Sequence, residues 1–179
     1  MAMKTATEVA KRSLCLELLL QRLGLELDEE DTVAELDAVR RAWVSRLGQL
    51  GLEDAIQPDE RALLDRPVGG LTDDECDDIE ARVIGSLVLL WTLLRLGARP
   101  TAASLAIATR LIAEHGVLGD GSIPEAKTAI EKLTLRPESE LRDGLAAYAL
   151  AHESGASTDP DPMVALIGVR TLDWVLGEA

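Results

Sequence analysis

The chain has 179 residues and a mass of 19.2 kDa, with 47% apolar and 28% charged side chains. This suits one soluble globular domain that needs no disulfide or metal to hold a core, and it excludes wholesale disorder or a low-complexity chain. Eighteen Lys and Arg against 32 Asp and Glu leave a net charge of −14, and the only rings are one Tyr and three Trp. A field of that sign repels phosphate backbones and anionic lipid heads, and so few rings make a poor stacking platform; neither nucleic acid nor a membrane is expected as a partner.

In chain order, residues 1–8 carry no apolar stretch behind Lys4, so no signal peptide is expected and the expected location is cytoplasmic. Thr5 and Glu8 stand in capping-box spacing, predicting a helix over 6–23 with Gly24 as its stop. Thr32 and Glu35 repeat the box. Val33, Leu36, Val39, Trp43, Leu47 and Leu50 then form one apolar stripe at helical spacing, ended by Gly48 and Gly51. Pro58 suits the first turn of a short helix reaching Leu64. Thr72 and Glu75 form a third box, opening a helix predicted to run to Leu96. Its first turns are acidic, which suits the helix dipole, and beyond Arg82 it is apolar nearly all round. Such a helix must be surrounded, so it is expected at the centre. Its apolar stretch over 83–94 is shorter than the roughly 20 residues a membrane span requires.

Thr101 is expected to cap a single helix that stops at Gly116. Gly119, Asp120 and Gly121 make a turn, Ser122 and Glu125 open a helix ending near Leu133, and Pro137 begins another reaching about Glu153. Residues 154–161 are polar and read as a linker. Asp161 and Pro162 then cap a C-terminal amphipathic helix within 162–179, with Val164, Ile167, Thr171, Trp174 and Val175 on one side. No stretch alternates as a strand does. The expected fold is all-α: a single-domain helical bundle of about seven or eight helices over 1–153, with a central apolar helix near 73–96 and the terminal helix docked on the same domain.

The chain carries no GxSxG, Walker A, GxGxxG or HExxH motif. Three residues before His115 and His152 stand Ile112 and Ala149, so the Glu-x-x-His spacing of di-iron bundles is missing as well. Both histidines read as helix-end surface residues. Cys15 and Cys76 form no CxxC pair and read as separate thiols rather than a disulfide. The acidic runs 28–31 and 73–80 lack the central Gly of an EF-hand loop. No catalytic residue, cofactor or metal is predicted.

One set of residues resembles a known family. Glu8-Val9-Ala10-x-Arg12-Ser13-Leu14-Cys15-Leu16, Trp43, Gly51-Leu52 and Pro58-x-Glu60-Arg61-x-Leu63-Leu64 form its first part. Arg82, Leu87-x-x-Leu90-Trp91-x-Leu93-x-x-Leu96 and Pro100 form the second. Together, over about residues 8–100, they resemble the bacterial family catalogued as domain of unknown function 4272. The resemblance implies a bacterial, cytoplasmic, helical protein and no activity to transfer.

Function is expected along one of two lines. The first is a non-enzymatic interaction module for a basic protein partner, such as an inhibitor or immunity-type protein, because acidic surfaces steer association with basic ones. Its expected face includes Asp73, Asp74, Asp77 and Asp78, with Trp174 on the terminal helix. The alternative is a small-ligand-binding protein or enzyme with a pocket inside the bundle, for which Arg82 is the residue to watch. Its plain alternative role is an Asp78–Arg82 surface pair at i, i+4. A helix-turn-helix over 101–133 is weighed down by its lack of basic excess.

Overall fold

The structure is a computed structural model that describes residues 2–117, 123–154 and 162–178. Among these residues there are nine α-helices and no strand: α1 (Ala6–Glu26), α2 (Val33–Leu50), α3 (Pro58–Asp65), α4 (Asp73–Thr92), α5 (Ala102–Leu105), α6 (Ala108–His115), α7 (Ile123–Lys132), α8 (Glu138–Ser154) and α9 (Pro162–Leu176). The all-α bundle expected from the sequence is the fold. Its ninth helix arises where one helix was expected from Thr101 to Gly116. The chain instead turns at Ala106 and Ile107 and restarts, which turns Ala108 and Ile112 into the core.

The three capping boxes form. Thr5, Thr32 and Thr72 each accept the amide of the Glu three residues on, and that Glu accepts the Thr amide in return. Two expected helix ends move. Gly24 does not stop α1, which runs on to Glu26. There Leu25 packs with Leu36 and Val68, and Glu26 accepts amides from Gly69 and Leu71, so tertiary partners extend the helix past a tolerant glycine. At the other end, α4 stops at Thr92 rather than Leu96. Arg136 sits over the Trp91 ring at 4.8 Å and donates to the carbonyls of Trp91, Leu96 and Gly97, and Leu94 takes a positive φ of 59°.

The α1–α4 pair is the axis of the molecule. Val83 through Trp91 are all buried, against α1 on one side and α6 and α9 on others. α8 covers α9, α2 and α7 pack on α1, and α3 bridges α1 and α2. The terminal helix is thus docked on its own chain. Of the linker expected over 154–161, Ser154 ends α8 and the rest lies outside the described residues, as do Gly119, Asp120, Gly121, Ser122 and Asp161.

Two glycines let α8 seat closely, Gly144 against Trp91 of α4 and Gly168 of α9 against Tyr148 of α8. A Cβ on Gly144 would lie 2.7 Å from the Trp91 ring, and one on Gly168 would lie 2.6 Å from the Tyr148 ring. Tyr148 is wholly buried and donates its hydroxyl to the Pro100 carbonyl at 3.0 Å. Each buried ring or Leu contributes on the order of 2–3 kcal/mol of hydrophobic stabilisation.

The α2 stripe is narrower than its spacing predicts, because Val33 and Val39 are exposed and Trp43 is half-buried. The buried line runs through Leu36, Arg40, Leu47 and Leu50. Arg40 sits on it because its guanidinium donates to the Leu64 and Asp65 carbonyls at the end of α3, where a cation suits the helix dipole.

Candidate functional site

Three helices meet at one buried carboxylate. Glu60, in the first turn of α3, has no solvent exposure. Its two oxygens accept from both terminal nitrogens of Arg12 on α1, each at 2.5 Å. Arg82 on α4 donates to Oε1 at 3.0 Å, and the Gln57 amide donates to Oε2 at 3.0 Å. Two carboxylate oxygens offer about four acceptor positions, and all are filled. The Asp78–Arg82 pair also forms, and Arg82 further donates to Asp59 at 2.6 Å. Burial works against the charge on Arg82, but its hydrogen bonds to the Asp59 and Asp78 carboxylates hold its pKa above the usual value. A carboxylate so saturated is no general base, and an arginine so committed has little left for a ligand. The cluster is a clamp that fixes α1, α3 and α4 in register.

Two grooves flank the α1–α4 pair. The first, of about 930 Å³, lies between α1, α4 and α6 and reaches Met163 at the start of α9. Its floor is apolar, with Leu20, Leu23, Val83, Ile84 and Ile112, and the exposed Leu27 and Met163 stand at its edge. Asp77 and Glu80 line the same groove from α4, both exposed. Glu17 is turned inward, where Oε1 accepts the Ser13 hydroxyl and the Val117 amide, each at 3.0 Å. On the wall, Gln21 Oε1 is buried, and no group among the described residues donates to it.

The second groove, of about 770 Å³, lies on the other side, between α1, α4, α9 and the chain entering α3. Arg82 lines it, as does Trp174, whose ring lies under the Lys4 ammonium at 5.5 Å.

The expected interaction face is therefore divided. Asp77 lines the first groove, with Asp73 and Asp74 exposed one turn earlier on α4. Asp78 faces Arg82, and Trp174 belongs to the second groove. The side chain of Arg82 is 22% exposed, at the groove rather than in open solvent. Sequence reasoning gave no role to Gln21, Lys11 or Arg170.

Cys15 and Cys76 are free thiols, Cys15 in the core and Cys76 half-buried. Burial pushes the Cys15 thiol up to about 12, so it stays protonated at neutral pH and is a poor nucleophile. His115 ends α6, and His152 lies in the last turn of α8. Among the described residues no three His, Cys, Asp or Glu side chains gather as a metal site, and no helix is long and apolar enough to cross a membrane.

Compared with family models, with curated proteins and with solved structures, the chain finds no match.

Proposed function

We propose that this protein is a non-enzymatic interaction module, and that the groove between α1, α4 and α6 receives a basic, amphipathic segment of a protein partner. The observation that carries this reading is the pairing of an apolar floor with the exposed carboxylates of Asp77 and Glu80. An amphipathic helix buries its apolar face in such a groove and sets its cations against the acidic wall. The net charge of −14 adds long-range steering towards a cationic partner. An inhibitor or immunity-type role follows the same chemistry, since such a protein covers a basic surface of its target.

The reading extends to the family resembled over residues 8–100. What supports it is that Arg12, Glu60 and Arg82, three of the residues that carry the resemblance, meet in one clamp.

The test is a titration with a labelled amphipathic helix of Leu, Ala and Lys, at low and high salt. Saturable binding is expected, weakened by salt and weakened about three- to tenfold by the double substitution Asp77→Asn, Glu80→Gln, the loss expected for two partly exposed ion pairs. No binding, or binding indifferent to both salt and substitution, contradicts the reading.

A further inference from the structure

The second groove collects cations in a strongly acidic protein. Five of the 18 Lys and Arg side chains line it: Lys4, Lys11, Arg12, Arg82 and Arg170. Arg12 and Arg82 are committed to the Glu60 clamp. Lys4 stands over Trp174. Lys11 and Arg170 enter no ion pair among the described residues. Two carboxylates also line the groove. Glu8 is turned back into the capping box with Thr5, which leaves Asp54 as the one opposing charge at the wall.

The rest of the groove is shaped for an apolar body. Leu16, Leu89 and Ile167 form its floor, and the Trp174 indole forms one side. Gly85, itself buried on α4, lies on that floor. A Cβ there would meet Leu16, the Thr171 hydroxyl and Ile167 only at 3.5, 3.6 and 3.9 Å, so a larger side chain would project into the groove. Its volume of about 770 Å³ falls in the size range of small-molecule sites, which pair apolar walls with a few converging polar groups.

From this geometry we infer that the second groove is a binding site for a small organic anion with a flat apolar body, such as an aromatic carboxylate or sulfonate. The body lies over Leu16, Gly85 and Leu89 beside the Trp174 ring, and the anionic group is held by Lys11 and Arg170. Arg82, the residue that sequence reasoning favoured for ligand binding, is a positioning residue: with Glu60 it fixes the walls and leaves the ligand's charge to others. The site is separate from the docking groove and rests on different side chains, so either can fail without the other.

The test uses a matched pair of probes, 8-anilinonaphthalene-1-sulfonate and its uncharged analogue N-phenyl-1-naphthylamine, titrated by fluorescence on the full chain. One-to-one binding of the sulfonate is expected, about tenfold tighter than the neutral probe, as one charge-assisted contact implies. The double substitution Lys11→Gln, Arg170→Gln should weaken the sulfonate by a similar factor and leave the neutral probe and the melting temperature unchanged. Gly85→Leu should abolish binding of the sulfonate. A circular dichroism spectrum matching the wild type guards this last variant against simple misfolding. Equal affinity for both probes, sulfonate binding indifferent to the double substitution, or no saturable binding overturns the inference.

Discussion

Arg12 and Glu60 stand 48 residues apart and meet end to end, both nitrogens on both oxygens, with the carboxylate sealed from solvent. Breaking a buried pair strands its partner's charge, whereas the intact pair adds little over a well-packed apolar contact. Glu60→Ala is expected to cost about 3–5 kcal/mol, because it leaves Arg12 and Arg82 facing each other without their shared anion. A double-mutant cycle of Arg12→Gln and Glu60→Gln, read by urea unfolding, should show a coupling of about 1–3 kcal/mol. Additive losses would mean that the two side chains do not act as a unit.

Acid should release the loop between α3 and α4. Burial alone would raise the Glu26 pKa, but the Arg22 hydrogen bond and the Leu71 and Gly69 amides together hold it below the usual value. A carboxylate with a depressed folded-state pKa contributes stability that is fully present above its unfolded value of about 4.3. That stability is lost as pH falls through the lower folded value. The stability difference between wild type and Glu26→Gln should therefore be greatest above about pH 5 and shrink towards zero in stronger acid. A difference that is constant across this window would remove Glu26 from the acid response.

Leu94 holds a position that favours glycine. It follows the Leu93 cap of α4 with φ at 59°, while the Arg95 amide reaches the Leu90 carbonyl and the Leu94 amide that of Trp91. This is the hydrogen-bond pattern of a Schellman end, whose left-handed residue is usually Gly. Leu94 is also 48% exposed, so little packing is lost on its removal. Leu94→Gly should leave stability unchanged or raise it by up to about 1 kcal/mol, and Leu94→Val should lower it, since β-branching penalises positive φ. Thermal melts of the two variants check the order.

Glycines in the bundle should split by what stands above them. Gly144→Ala and Gly168→Ala drive a methyl into the Trp91 and Tyr148 rings, and overpacking of this kind costs about 1–3 kcal/mol. Gly85→Ala meets its neighbours at ordinary contact distance and gains helix propensity, so it should be neutral or stabilising by up to about 1 kcal/mol. Urea unfolding of the three variants gives the comparison.

Local grammar was readable in the chain, and long-range grammar was not. Each Thr–Glu capping box lies within one turn, so Thr5, Thr32 and Thr72 mark their helices without reference to the rest of the fold. The buried character of α4 followed from its unbroken apolar run. Gly24 and Leu96 misled because the true ends of α1 and α4 are decided by Glu26 and Arg136, which hold backbone more than 35 residues away in sequence. The grooves stayed hidden for the same reason. Asp77 and Asp78 are neighbours in sequence, yet about 100° of helical rotation sends one to the docking groove and the other to Arg82. Lys11 and Arg170 share a groove only because α9 returns to α4 beside α1.

The most direct measurement on the docking groove is a photo-cross-link from inside it. A benzophenone side chain at Ala113, an exposed residue lining the groove on α6, can be activated in the cells that make the protein, with one at the exposed Ala42 on α2 as control. The product is read by mass spectrometry. A cross-link specific to Ala113, landing in a segment rich in Lys or Arg on one face and apolar on the other, is the predicted result. Cross-links equally frequent from Ala42, or landing in acidic or uncharged segments, would contradict it.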